Sequence, residues 1–76
     1  MIIKVLGSGC DKCKKLEAHV KEAVQSLGID ASVEKVEDFK QIMAFGVMQT
    51  PALVIDETVK SVGKVLTVDE VKQLIK

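Results

Sequence analysis

Apolar side chains recur along this chain with two different periods, and the switches between them mark its elements. Ile2 to Leu6 is a short β-branched run ending at Gly7-Ser8-Gly9, which predicts a buried strand and then a tight loop. From Asp11 to Leu27 the apolar residues fall at Leu16, Val20, Ala23, Val24 and Leu27. That spacing is a helical stripe, and Gly28 supplies the left-handed residue that ends it. Extended backwards by one turn, the stripe lands on Cys13. Ala31 to Val36 alternates apolar and polar, as a strand does, with Ala31, Val33 and either Ile29 or Lys35 on one side.

Asp38 then caps a short helix, with Gln41 at capping-box spacing and Phe39, Ile42 and Met43 expected to face inward; Gly46 closes it. Ala52 to Ile55, after Pro51, is wholly apolar and reads as a core strand. Val59 to Val62 pairs with it as an antiparallel hairpin through Asp56-Glu57-Thr58, a turn without the usual glycine. Thr67-Val68-Asp69-Glu70 is a capping box opening a last helix, with Val68, Val71, Leu74 and Ile75 on its inner stripe. The order is βαβαββα. The first two strands and their crossover helix should be parallel, and the last pair antiparallel. The expectation is an α/β fold: a four-stranded mixed sheet flanked by helices, as one domain over residues 1–76.

Composition narrows the function. With 47% hydrophobic and 29% charged residues and a single Pro, the chain is globular in character. Eleven basic residues balance eleven acidic ones, and there is no Trp or Tyr. Neither phosphate neutralisation nor base stacking is provided for, so nucleic acid is set aside as a partner. The opening apolar run is too short, and broken by Lys4, to be a signal or membrane segment. No membrane partner and a cytoplasmic location are expected.

Two cysteines are too few for a disulfide scaffold, but Cys10-Asp11-Lys12-Cys13 spaces them for thiol chemistry or metal ligation. With Cys10 at the helix N-cap, Cys13 lies one turn in, and Cβ atoms three residues apart on a helix are about 5–6 Å from each other. Cys13 shares the stripe of Leu16 and Val20 and should point inward, where desolvation raises a thiol pKa. Cys10 should sit at the tip, where unpaired N–H groups and Lys12, Lys14 and Lys15 favour a thiolate and Asp11 opposes it. An exposed sulfur to attack and a shielded one to resolve is the arrangement that dithiol exchange requires.

Gly9-Cys10-Asp11-Lys12-Cys13 after the first strand, Thr50-Pro51 before a core strand, and Val62-Gly63-Lys64 before the last helix together resemble the thioredoxin fold. The resemblance covers the whole chain and is greatest to the small glutaredoxin-like "redox-active disulfide" proteins of archaea and bacteria. It implies a thiol–disulfide oxidoreductase with Cys10 as nucleophile and Cys13 as resolving thiol, the two forming the redox-active disulfide. It also implies a cis Thr50–Pro51 bond, with Thr50 pairing its backbone to an extended substrate. Thr50, Pro51 and Gly9 are thereby the substrate-binding candidates. No cofactor is implied, since the cysteine pair carries two electrons itself. The partners are a protein or small-molecule disulfide and an upstream reductase, and the chain is expected to act as a monomer.

Two alternatives stand beside this one. Gly-x-x-Cys-x-x-Cys after a first strand also resembles the loop of ferredoxin-like metallochaperones, which hold soft ions between thiolates. A closed zinc site would need further ligands; the other soft candidate, His19, lies off the buried stripe and reads as a solvated flank residue, so no metal site is assigned. The third possibility is a redox-regulated interaction module, with apolar residues around Gly46-Val47-Met48 serving a partner. The three Met read as core filler, with Met48 near enough to Thr50 to line an apolar patch. Lys12, Lys14, Lys15 and Lys21 read as a wet helix face.

Overall fold

A computed structural model describes residues 1–7 and 11–75. Its elements are β1 (Ile2–Leu6), α1 (Asp11–Leu27), β2 (Ser32–Val36), α2 (Phe39–Ala44), β3 (Ala52–Ile55), β4 (Thr58–Val62) and α3 (Val68–Ile75), in the predicted order. The sheet runs β2-β1-β3-β4. β1 pairs parallel with β2, whereas β3 pairs antiparallel with both β1 and β4.

Alternation along the two central strands builds a core on each face of the sheet. Ile3, Val5, Leu53 and Ile55 turn to one face, where α1 supplies Leu16, Val20 and Ala23 and α3 supplies Val71 and Ile75. Leu6, Ala52 and Val54 turn to the other, under Ile42 and Val47. All four residues of β3 are buried because both of its faces are covered, which is why that run shows no polar positions. The edges are polar. β2 exposes Glu34 and Lys35, and β4 carries a register shift that takes the pairing from Leu53↔Ser61 to Val54↔Val59, leaving Lys60 as an extra residue. A bulge and a charge on an edge strand discourage pairing with a further chain.

The hairpin turn holds just two residues, since Ile55 pairs with Thr58, and strand β4 starts one residue earlier than expected. Asp56 and Glu57 have φ of 48° and 68°, a conformation that normally favours glycine. Tertiary bonds hold it: Asp56 accepts from the Ile2 amide through Oδ1 and donates its own amide to the Ile2 carbonyl, both at 2.9 Å. Lys4 donates to Glu57 at 3.1 Å.

At α3 the capping box closes as predicted. Thr67 donates its amide to Glu70 Oε1 at 3.0 Å, and Glu70 donates its amide to Thr67 Oγ1 at 3.2 Å. The bond from the Thr67 backbone, then its side-chain contact and the charge of Lys64, hold the Glu70 carboxyl below the usual carboxylate range. The folded state therefore favours ionised Glu70. Its contribution is complete above the unfolded pKa and fades as pH falls through the lowered folded one. A Glu70→Gln variant should melt below the wild type at neutral pH, with the gap closing on acidification; a gap independent of pH in thermal melts would contradict this.

Helix α2 departs from its predicted orientation. Its N-cap bond runs from the Lys40 amide to Asp38 at 2.9 Å, rather than through Gln41. Of the three residues expected to face inward, just Ile42 is buried, while Phe39 is 73% and Met43 45% exposed. At about 100° per residue, Phe39, Ile42 and Met43 share one broad face. The helix is rolled so that Ile42, with the partly buried Phe45 further round, meets the sheet, which turns Phe39 and Met43 outward. No methionine serves as core filler, because Met1 and Met48 are exposed as well.

His19 also differs from its expected solvated role. It is half-buried, and its Nδ1 lies 2.7 Å from the Leu66 carbonyl oxygen, joining α1 to the segment before α3. A carbonyl can only accept, so Nδ1 carries the hydrogen.

Candidate active site

Strand β1 delivers the chain to Gly7, whose amide donates to the Val36 carbonyl at 2.9 Å and so extends the pairing with β2. Cys13, in the first turn of α1, is 2% exposed and lies at the head of the stripe formed by Leu16, Val20 and Ala23. Its burial follows from the helical period that the apolar residues obey. The Cys13 sulfur packs against Gly7, occupying the space that a β-carbon there would need. From that same position the Cβ of Thr50 is 3.7 Å away. Residues from the end of β1, the start of α1 and the loop before β3 thus meet at one point.

The Thr50–Pro51 peptide bond is cis, as the resemblance implied. Thr50 is exposed and Pro51 buried. The Pro51 carbonyl accepts from the Gly63 amide at 2.8 Å, which ties this loop to the end of β4. Gly63 has a φ of 73°, and a β-carbon there would come within 2.5 Å of Gln49 Oε1. Glycine is favoured at this tie by the backbone conformation, while the approaching Gln49 oxygen is the end of an exposed, flexible side chain that can swing aside.

From Thr50 an open groove of about 330 Å³ runs along α2, with Phe39, Met43 and Met48 in its walls and Glu37 on its rim. That is the low end for small-molecule sites, and the groove is open rather than enclosed. Met48 is 83% exposed. Lys12, Lys14 and Lys15 are all exposed beside Asp11 in the first turn of α1.

Of the site residues expected from the sequence, Cys13, Thr50 and Pro51 are brought together, while Gly9 and Cys10 lie outside the described residues. Gly7, Gly63, Phe39 and Met43 join the site without having been assigned to it. Gly7 carried a signal, a glycine closing a strand just before the cysteine motif. For Phe39 and Met43 the helical period pointed the opposite way. Among the described residues, no group of three or more His, Cys, Asp or Glu side chains is placed to hold a metal ion. The placing of α2 between β2 and β3, and of α3 at the end, also differs from the βαββαβ order of ferredoxin-like metallochaperones.

A thioredoxin-domain family model matches residues 1–76. Two archaeal relatives align along essentially the whole chain, both described as thioredoxin. The one from Methanothermobacter thermautotrophicus is 39% identical over 75 residues, covering 99% of this chain and 97% of the relative. The one from Methanocaldococcus jannaschii is 38% identical over 76 residues, covering 100% of this chain and 87% of the relative. The chain belongs to the thioredoxin-domain family.

Proposed function

We propose that this thioredoxin-family chain is a thiol–disulfide oxidoreductase working through Cys10 and Cys13. The observation that carries the reading is the buried Cys13 sulfur, held against Gly7 and beside Thr50 at a cis Thr–Pro bond. A resolving thiol must be shielded from outside disulfides yet close to the point of attack, and that pocket shields it. In the forward reaction the Cys10 thiolate attacks a substrate disulfide and expels one substrate thiolate. Cys13 then attacks the Cys10 sulfur of the mixed disulfide. A Cys10–Cys13 bond forms, the bond to the substrate breaks, and the second substrate thiol leaves. The dithiol has lost two electrons and the substrate has gained them. An upstream dithiol reductase reverses the change in the protein.

The substrate class is a protein disulfide in preference to a small one. Phe39, Met43 and Met48 present apolar surface in a groove that begins at Thr50, and an extended segment paired to the Thr50 backbone would lay its flanking side chains along it. The proposed location is cytoplasmic and the proposed state monomeric. Separately, among the described residues no helix is long and apolar enough to cross a membrane.

The test is steady-state reduction of a protein disulfide and of a small disulfide, compared in wild type and Met48→Lys. A charge in the groove should raise KM for the protein disulfide about 10-fold, the equivalent of 1.4 kcal/mol of lost docking, with a much smaller effect on the small disulfide. Equal effects on both would deny the groove its role. A wild-type chain that reduces neither would defeat the oxidoreductase reading. Tight stoichiometric binding of copper(I) or zinc by that inactive chain would point to metal handling instead.

A further inference from the structure

Gly7 sits at the end of β1 with its amide bonded to Val36, in a backbone conformation outside the left-handed region. Nothing in its φ calls for glycine. Space does, because a β-carbon on Gly7 would overlap the Cys13 sulfur and lie 3.1 Å from the Cys13 Cβ. Real side chains essentially never overlap a neighbour in this way, and the Val36 bond holds the Gly7 backbone in place. The missing side chain is the seat of the sulfur.

We infer that Gly7 is a positioning residue for the resolving thiol: by lacking a side chain it lets the Cys13 sulfur lie against the end of β1, beside Thr50. This rests on the dithiol reading above and adds to it what sets the reach of Cys13. Resolution is an intramolecular attack, and its rate depends steeply on how the attacking sulfur is held. A side chain at residue 7 displaces that sulfur, either back toward the core or out toward solvent. Both displacements change the approach to the mixed disulfide.

The test is a double-mutant cycle in the full chain with two readouts. In the wild-type background Gly7→Ala should lower the melting temperature by about 4 °C or more. In a Cys13→Ala background the sulfur is gone and only the 3.1 Å approach to the β-carbon that alanine keeps remains, so the same substitution should lower the melting temperature by less than half as much. If Gly7→Ala alone does not fold, its rescue by Cys13→Ala supports the inference as directly. Equal losses in the two backgrounds overturn it.

The second readout is kinetic. Gly7→Ala should slow release of the mixed disulfide about 10-fold to 100-fold, and slow capture less, so that the intermediate accumulates in acid-quenched samples analysed by mass spectrometry. A merely structural role would slow neither step selectively. Release at the wild-type rate in an active, folded variant overturns the inference while leaving the oxidoreductase reading intact. A wild-type chain that exchanges no disulfide defeats that reading and, with it, the kinetic half of this one.

Discussion

Cys13→Ser is expected to attack a substrate disulfide and then stall, leaving the substrate bound to Cys10 through a mixed disulfide. Serine fits the space of the sulfur and keeps the packing against Gly7, but a hydroxyl does not attack a disulfide at neutral pH. Turnover should fall below detection while a covalent adduct of one substrate per chain builds up. Cys10→Ser should form no adduct and show no turnover. The difference between them follows from burial: Cys13 is 2% exposed and screened from an outside disulfide. In the reduced wild type, limiting iodoacetamide should for the same reason label Cys10 first. Peptide mapping by mass spectrometry reads all three results. First labelling of Cys13, or equal trapping by the two serine variants, would reverse the assignment of nucleophile and resolving thiol.

Leu16→Ala is expected to be the most damaging single truncation in α1. Leu16 is fully buried one turn beyond Cys13, among Ile3, Val5, Val20 and Leu53 in the core beneath α1 and α3. Removing a core leucine to alanine costs about 2.7–5.0 kcal/mol, depending on how far the cavity collapses. At about 0.05–0.15 kcal/mol per residue, a chain of 76 residues has only some 4–11 kcal/mol in total. The melting temperature should therefore drop by about 10–40 °C, and disulfide exchange should fail on heating well before the wild type does. Phe39→Ala removes a larger side chain, but one 73% exposed, and should change stability by less than about 0.5 kcal/mol. A small effect at Leu16 together with a large one at Phe39 would mean that the orientation of α1 or α2 is wrong.

Where the local pattern and the fold agree, each element has a single way to bury its apolar residues. The stripe of Leu16, Val20 and Ala23 can be buried only with Cys13 on the same side, so the shielded thiol is legible in the helical period alone. The four apolar residues of β3 can be satisfied only in a strand covered on both faces. Thr67 and Glu70 cap α3 through contacts three residues apart, which sequence spacing reports directly. Helix α2 is different. Its apolar residues outnumber the positions that one and a half turns can press onto the sheet, and amphipathic period alone does not say which of them is turned out.

What the sequence by itself determined about this protein is the order of its elements, the parallel and antiparallel pairs, and the placing of Cys13 and Thr50-Pro51 at element boundaries. These follow from local periodicity, caps and connection lengths, which act over a few residues. Tertiary structure decided the rest. Asp56 and Glu57 form a tight turn without glycine because Ile2 and Lys4, more than fifty residues earlier, bond to them. His19 is drawn from solvent by the Leu66 carbonyl. Phe39 and Met43 become the wall of a groove because the sheet takes Ile42. Gly7 must lack a side chain because the sulfur of Cys13 fills that place, with Thr50 closing in from a loop 43 residues further along. In each case the partner is distant along the chain, and an energy set by distance in space leaves no periodic trace in the order of the residues.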